Sequence, residues 1–469
     1  MKFKNYNNKD YEAVCDFLIE LNRKNRNHIN WNWARFEWMM EHPEFDKRLM
    51  ESIGLWLDGE KVVGAAIYDM YFGEAFCGAL PGFETLYPEI LDYAYRELRD
   101  DNGLGIAICG ESAKEIEAAK HAGFTLAEQT EAIMSIKLNN TLPVLLSEDY
   151  CMTELDPVNE PYAFQWLLWQ GFDHGTDRAA FERDGDIISE IPVFRKHFDP
   201  TLSIAAKNSD GEYVSYCCLW YSDKTDYAYV EPVCTVPSCR GKGIAKAVIY
   251  EALNRAKDLG ANKAYVISDT EFYEKLGFEK EYRFSFYWKK PLNVNGNTYH
   301  IVRLLGKGKG GYSYLAQRND VQVVVKQIHH EPCDYYTFGN KIEAERNDYQ
   351  QLKKAGIRIP EMFEIDIENE RIVKEYIDGD TIFDRVKRGE GVDAYLPQVR
   401  EMAMLAKTAG LNIDYFPTNF VVQNGLLWYI DYECNGYMDE WSFENWGMKY
   451  WSRTPEFEEY LNTHAGGTI

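Results

Sequence analysis

The chain is poor in positive charge: 51 Lys and Arg stand against 75 Asp and Glu, a formal net charge of −24 with a sequence pI near 4.9. Such a surface repels a phosphate backbone, which excludes duplex nucleic acid as the main partner. Long apolar runs are also missing. Met1 to Asp10 (MKFKNYNNKD) has no apolar stretch of the signal-peptide kind, and no later segment approaches the ~18 uninterrupted apolar residues of a membrane span. The expectation is a cytoplasmic protein with no membrane partner. Ten cysteines include no CxxC pair, a density that suits reduced, buried thiols better than a disulfide framework. His329, His330 and Cys333 lie together but lack a second ligand pair, so a metal site is not expected there.

What is present suits a folded chain of several domains. Of 469 residues, 45% are hydrophobic and 15% aromatic, which excludes a disordered or collagenous polymer. From Asp226 onward the pattern runs strand, glycine turn, helix (Ile244 to Leu259), strand (Lys263 to Ser268), a short helix ending at Leu276-Gly277-Phe278, and a closing aromatic strand. The same order occurs earlier and ends its short helix at Ala122-Gly123-Phe124, an offset of 154 residues from Phe124 to Phe278. That spacing is a domain length, so the first two blocks read as a duplication. Pro143 marks one junction, and Pro291 with Asn293, Asn295 and Gly296 another. The fold expected is α+β: two mixed-sheet domains over 1–142 and 143–290, and a third of another kind over 295–469.

Val236-Pro-Ser-Cys-Arg240-Gly241-Lys242-Gly243-Ile244-Ala245 leaves a strand and opens a helix. Glycines there let backbone N–H groups approach an anion, and the helix start adds about half a positive charge. The run resembles the Arg/Gln-x-x-Gly-x-Gly/Ala signature of the GCN5-related N-acetyltransferase (GNAT) family, and Tyr273-Glu-Lys-Leu-Gly277-Phe278 follows at a spacing typical of it. The resemblance implies that the amides of Val236 and of Arg240, Gly241, Lys242, Gly243, Ile244 and Ala245 hold acetyl-CoA, and that Tyr273 is the acid for the leaving thiolate. Glu231, on the preceding strand, stands where some members keep a base, and three readings stay open for it: base, cation binder or surface residue. Cys234 and Cys239 read as small buried residues. Without gaps, the offset of 154 sets Leu86 to Glu89 against Arg240 to Gly243 and Ala119 against Tyr273, so the first block resembles a GNAT domain that has lost its cofactor. The aromatic cluster of Trp31, Trp33, Phe36 and Trp38 reads as core or as cleft lining.

In the third block, Gly306-Lys-Gly308-Lys-Gly-Gly311 lies between two strand patterns, and Lys326 follows in the second strand. That order is not the strand-turn-helix of a dinucleotide fingerprint. Glu345 comes 19 residues later in a long helix (Phe338 to Lys354), and Asp414, Asn419 and Asp431 follow around an Asn424-Gly425 hairpin. This resembles the bilobal kinase-like phosphotransferases, nearer to aminoglycoside and choline kinases than to protein kinases, with Asn412 where the family usually has His. The resemblance implies ATP with Mg²⁺, held by the glycine loop, Lys326 and Glu345, with Asp414 as base and Asn419 and Asp431 on the metal.

The function expected is acetylation of an amine of a small, cationic molecule, joined to phosphorylation of a hydroxyl. The alternative is a protein or peptide N-acetyltransferase regulated by a nucleotide-sensing pseudokinase. The oligomeric state cannot be read from the sequence.

Overall fold

Alternating apolar residues and short turns make strands of much of the first 289 residues, and all of those strands join one sheet. The computed structural model describes residues 1–42, 45–184, 197–308, 310–331 and 339–463. The chain falls into two compact units, Met1–Lys120 with Phe124–Lys289, and His121–Gly123 with Lys290–Ile469.

The strands of the first unit are β1 (Lys2–Asn5), β2 (Gly54–Asp58), β3 (Lys61–Asp69), β4 (Tyr71–Ala79), β5 (Leu104–Cys109), β6 (Thr125–Lys137), β7 (Tyr150–Glu154), β8 (Ser203–Asn208), β9 (Tyr213–Tyr221), β10 (Tyr227–Thr235), β11 (Lys263–Ile267) and β12 (Glu279–Lys289). They lie in the order β1-β2-β3-β4-β5-β12-β6-β11-β10-β9-β8-β7. Each half therefore gives its last strand to the other: β12 pairs with β5 from Phe284↔Cys109 to Lys289↔Leu104, and β6 pairs with β11 from Lys263↔Lys137 to Ile267↔Ile133. The two exchanged strands also pair with each other along the centre of the sheet.

The duplication shows in the backbone. Phe278 N donates to Tyr273 O and Phe124 N donates to Ala119 O, each at 3.0 Å, so Ala119 stands at the position of Tyr273. Nearer the loops the offset of 154 slips. The helix after β4 begins at Tyr87 and the helix after β10 at Ile244, which sets Leu86, a residue 8% exposed, at the place of Gly243. The ungapped match of Leu86 to Glu89 with Arg240 to Gly243 is thus corrected to Phe83 to Leu86, because the two halves differ in loop length.

The second unit has a sheet of β13 (Leu292–Val294), β14 (Asn297–Lys307), β15 (Gly311–Arg318), β16 (Val321–Ile328), β17 (Met362–Asp366) and β18 (Arg371–Glu375), ordered β13-β14-β15-β16-β18-β17. A helix, Lys341–Ala355, starts behind Asn340, whose side chain accepts from Glu343 N; the expected start at Phe338 lies outside the described residues. Farther along, the helices Ile382–Lys387, Leu396–Thr408 and Pro455–Thr463 surround the hairpin Phe420–Gln423 and Leu426–Tyr429. Asn424 (φ 52°) and Gly425 (φ 77°) form its turn, both left-handed as a type I′ turn requires. A separate core that includes Phe383, Met402, Phe420, Tyr429 and Trp451 fills this part.

Candidate active site

β10 is interrupted where its function would lie. Val230 pairs with Leu219 and Val233 with Cys217, so Glu231 and Pro232 bulge opposite Cys218. On its other edge β10 pairs with β11 only from Tyr227↔Lys263 to Tyr229↔Tyr265. Beyond Tyr229 the two parallel strands part, and an opening forms in the sheet beside Glu231.

At the end of β10 the chain makes its glycine turn. Gly241 (φ 75°) and Gly243 (φ 79°) are both left-handed, and a side-chain carbon at either would meet nothing within 4 Å. The open space lies in front of the helix Ile244–Leu259, whose first turn is capped by no side chain. The first amides of a helix have no intrahelical acceptor, so those of Ile244 and Ala245 are free to face an anion. The amides of Gly241, Lys242 and Gly243 take no partner among the described residues. Those of Val236 and Arg240 are already spent, on Val214 O (2.9 Å) and Pro237 O (3.2 Å), so the amide cradle runs from Gly241 to Ala245. The Arg240 side chain ties the turn down: Nε donates to Thr235 O (3.0 Å), Nη1 to Asp173 Oδ2 (3.0 Å) and Nη2 to Gly171 O (2.7 Å).

Tyr273 lies on the short helix Glu271–Lys275. Burial first, then the neighbouring Cys217 and Glu231, holds its phenol above the usual range. The Glu231 carboxyl is pushed up to about 7 by burial, with the Arg35 charge pulling the other way. The Glu231 charge thus contributes to holding the Tyr273 phenol protonated. Cys234 and Cys239 are buried, at 5% and 8% exposure.

One group near Glu231 was not legible in the sequence. Arg35, from the helix Trp33–Glu41, bonds Asp69 Oδ2 (2.9 Å) and Glu131 Oε2 (3.2 Å) and lies over the Trp31 ring at 5.1 Å. These residues belong to the first half, and only the strand exchange carries Glu131 on β6 toward β10.

Residues 162–278 match the Acetyltransferase (GNAT) family model. That stretch is a GNAT acetyltransferase domain. The family uses acetyl-CoA, and membership supports acyl transfer to an amine. Comparison with curated proteins gave no match. Among solved structures the chain is similar to a GCN5-related N-acetyltransferase from Sphaerobacter thermophilus, at 14% identity and a TM-score of 0.41, covering 62% of this chain and 95% of that one. It is also similar to a tandem GNAT protein from the clavulanic acid biosynthesis pathway, at 12% identity and a TM-score of 0.43, covering 61% and 97%. An acetyltransferase from the GNAT family of Colwellia psychrerythraea matches at 14% identity and a TM-score of 0.39, covering 61% and 99%.

At the place of the GNAT domain's glycine turn the first half has Phe83 to Leu86. Its helix opens with Pro88 and Glu89, and the Glu89 carboxylate accepts from Trp56 Nε1 at 2.8 Å. A carboxylate in the first turn takes the position an anionic ligand would need.

The second unit gathers its own polar cluster. Lys326 on β16 meets Glu345 Oε1 at 2.5 Å and Asp431 Oδ1 at 3.5 Å. Burial works against both charges, yet Glu345 and Asp431 keep Lys326 protonated, and Lys326 with Lys374 holds the Asp431 carboxyl below its ordinary range. The glycine loop lies over this pair: a side-chain carbon on Gly310 would come within 3.7 Å of Glu345 Oε1 and 3.9 Å of Lys326 Nζ. Gly311 admits no side chain, since Gln327 O would be 2.5 Å away, whereas Gly306 and Gly308 face open space. Asn419 Nδ2 donates to Asp414 O (3.4 Å) and Asn419 O accepts from Ile430 N (2.9 Å), while Tyr429 Oη accepts from Asp414 N (3.3 Å) and donates to Glu433 O (2.8 Å), so Asp414 and Asn419 are bonded to each other and to the segment around Asp431. Lys374, which the sequence did not flag, donates to Ile430 O at 2.6 Å and is pushed down to about 8 by burial first and then by Lys326. His329 pairs with Gly308 O and His330 with Glu370, while Cys333 lies outside the described residues. Among the described residues no three His, Cys, Asp or Glu side chains group to hold a metal, and no helix is long and apolar enough to cross a membrane.

Proposed function

We propose that the GNAT domain transfers acetyl from acetyl-CoA to an amine of a small cationic molecule. The observation that carries this is the opening between β10 and β11 beside Glu231, followed by the left-handed Gly241 and Gly243 turn before an uncapped helix. A carboxyl pushed up to about 7 accepts a proton from an ammonium near neutral pH. A phenol held protonated has a proton to give to the departing thiolate. Acetyl-CoA fits the residues present: the uncapped helix start and the amides from Gly241 to Ala245 suit its pyrophosphate. The first half, with Ala119 for Tyr273 and Glu89 at its helix start, serves as a cofactor-free partner that shapes the acceptor side.

For the second unit we infer a kinase-like phosphotransferase that binds ATP with Mg²⁺. Glu345 Oε2 is buried beside Lys326 with no hydrogen-bond partner among the described residues, and the charged pair under an open glycine loop suits phosphate groups. Gly306, Gly308 and Gly311 shape that loop, Lys326 held by Glu345 meets the phosphates, Asn419 and Asp431 are the oxygen ligands for the metal, and Asp414 accepts the hydroxyl proton.

The test is thiol release from acetyl-CoA against polyamines, aminoglycosides, amino acids and peptides, each with and without Mg·ATP. A small amine gaining one acetyl mass, and a further phosphoryl mass with ATP, is the expected result. Acetylation confined to peptides overturns the small-molecule reading, and products unchanged by ATP overturn the phosphotransferase.

A further inference from the structure

A pocket lined mostly by the first half, with Phe286 of β12, brings three carboxylates together. Asp69 at the end of β3, Glu74 on β4 and Glu131 on β6 line it with Asn30, Trp31 and Arg35. One guanidinium stands against three carboxylates. Arg35 is committed to Asp69 and Glu131; among the described residues Glu74 receives a neutral hydrogen bond, from Gln129 Nε2 at 3.1 Å, and no ion pair. Burial first, then the charges of Asp69 and Glu131, raise the Glu74 carboxyl above its usual range against the Gln129 hydrogen bond and the Arg35 charge. A half-buried acid without a counter-charge is costly unless a cation supplies one.

A second observation points the same way. Asn30, 2% exposed, lines this pocket, and its Nδ2 has no hydrogen-bond partner among the described residues. A buried amide left unpaired costs about 1–3 kcal/mol, and half a turn about its Cβ–Cγ bond offers a ligand oxygen in place of nitrogen. The room is that of one water-sized group, which is also the size of a primary ammonium head.

The pocket is linked to the acetyl-transfer site through Arg35. Its charge acts on Glu231, and Tyr229 feels Glu231, Arg35, Glu131 and Asp69 together. β6 and β10 are separated in the sheet by β11 alone, a lateral distance of about 10 Å. Glu131 lies beyond the last pair of β11 with β6, Ile267↔Ile133, on the far side of the opening from Glu231.

We propose that this pocket holds a second, non-reacting ammonium of the acceptor, so that the substrate is a diamine or polyamine whose two protonated nitrogens lie at least about 10 Å apart, the two strand spacings from β10 to the pocket's nearest carboxylate, Glu131. One nitrogen meets Glu74 and Asn30 in the first half, and the other faces Glu231 in the second. The inference rests on the acetyl-transfer reading for the reacting nitrogen alone.

The full-length protein is given a series of 1,n-diaminoalkanes and the matching n-alkylamines. Thiol release gives the ratio of kcat/KM for diamine over monoamine, and calorimetry without acetyl-CoA gives diamine binding. Wild type is expected to favour a diamine of matched length about 30-fold, and Glu74→Gln to cut that ratio and the diamine affinity about tenfold each. Asn30→Ala, which removes no charge, lowers the affinity in the same direction. Equal turnover of both amine classes, or a ratio unmoved by Glu74→Gln, means that the pocket holds only a water and overturns the proposal while acetyl transfer stands. Diamine binding that Glu74→Gln weakens, with no amine acetylated, keeps the pocket and overturns the transfer reading. Neither binding nor turnover overturns both.

Discussion

Tyr273 and Ala119 occupy the same point of two successive halves, each accepting at its carbonyl from the phenylalanine five residues on, Phe278 and Phe124, at 3.0 Å. One backbone position thus carries a phenol in the second half and a methyl in the first. For the proposed acetyl transfer, the phenol that can serve as acid is therefore present in the second half and lacking at the matching point of the first.

Tyr273→Phe keeps the ring, which packs against Phe278 at 5.3 Å, and removes the proton donor. The expected result is a fall in kcat of about 100-fold with acetyl-CoA affinity unchanged, read by thiol release and by calorimetry. A variant with undiminished kcat removes Tyr273 from the chemistry.

In the proposed reaction Glu231 is the base and carries the pH dependence. Its carboxyl is pushed up to about 7, so the form able to take a proton is lost as pH falls through that value. Acetylation rates are expected to rise with pH to a plateau above about 7, and Glu231→Gln to remove this acid limb and lower the plateau about 100-fold. The linkage to stability has the opposite sense. The folded protein holds this proton between the ordinary carboxyl range and about 7, where the unfolded chain has released it, so this group's contribution to stability declines as pH rises through that window. Glu231→Gln flattens that part of the stability curve in denaturant titrations at pH 5 and pH 8.

Gly243→Ala separates backbone strain from ligand crowding. A side-chain carbon there meets no protein atom within 4 Å, so the structural cost is only the left-handed φ of 79°, about 1 kcal/mol. The same methyl projects into the space before the helix start. Acetyl-CoA affinity is therefore expected to fall at least tenfold while Tm falls by only about 2–4 °C.

The sequence revealed what is local and hid what is shared between halves. The glycine turn, the helix behind it and the Asn424-Gly425 hairpin follow from short-range rules of positive φ and apolar spacing, and each stands where those rules put it. Lys326 and Glu345 were legible because a strand and a helix at a known separation bring them together. The exchange of β6 and β12 leaves no local trace: each strand alternates as any strand would, whichever neighbour it pairs with. For that reason Arg35, Asp69, Glu74 and Glu131 carried no sequence signal as neighbours of Glu231. The loop correspondence between halves slipped for a related reason, since a constant offset from Phe124 to Phe278 ignores loops of unequal length.

Lys326 provides a test of the second unit. Its side chain is 12% exposed and that of Glu345 14%, so Lys326→Met leaves Glu345 and Asp431 facing each other without their shared cation. Breaking a buried pair in this way costs about 3–5 kcal/mol, and the unfolding transition of this unit is expected to move to lower temperature. Lys326→Met with Glu345→Met removes both charges of the closest pair. The double variant is expected to regain part of the loss, a coupling of about 1–3 kcal/mol in a double-mutant cycle, because the remaining Asp431 keeps Lys374 as a nearby positive charge. Both variants lose Mg·ATP binding by calorimetry if the pair grips phosphate, and the restored stability of the double variant shows that the loss is not unfolding. Nucleotide binding that survives in the stable double variant removes Lys326 and Glu345 from the phosphate site.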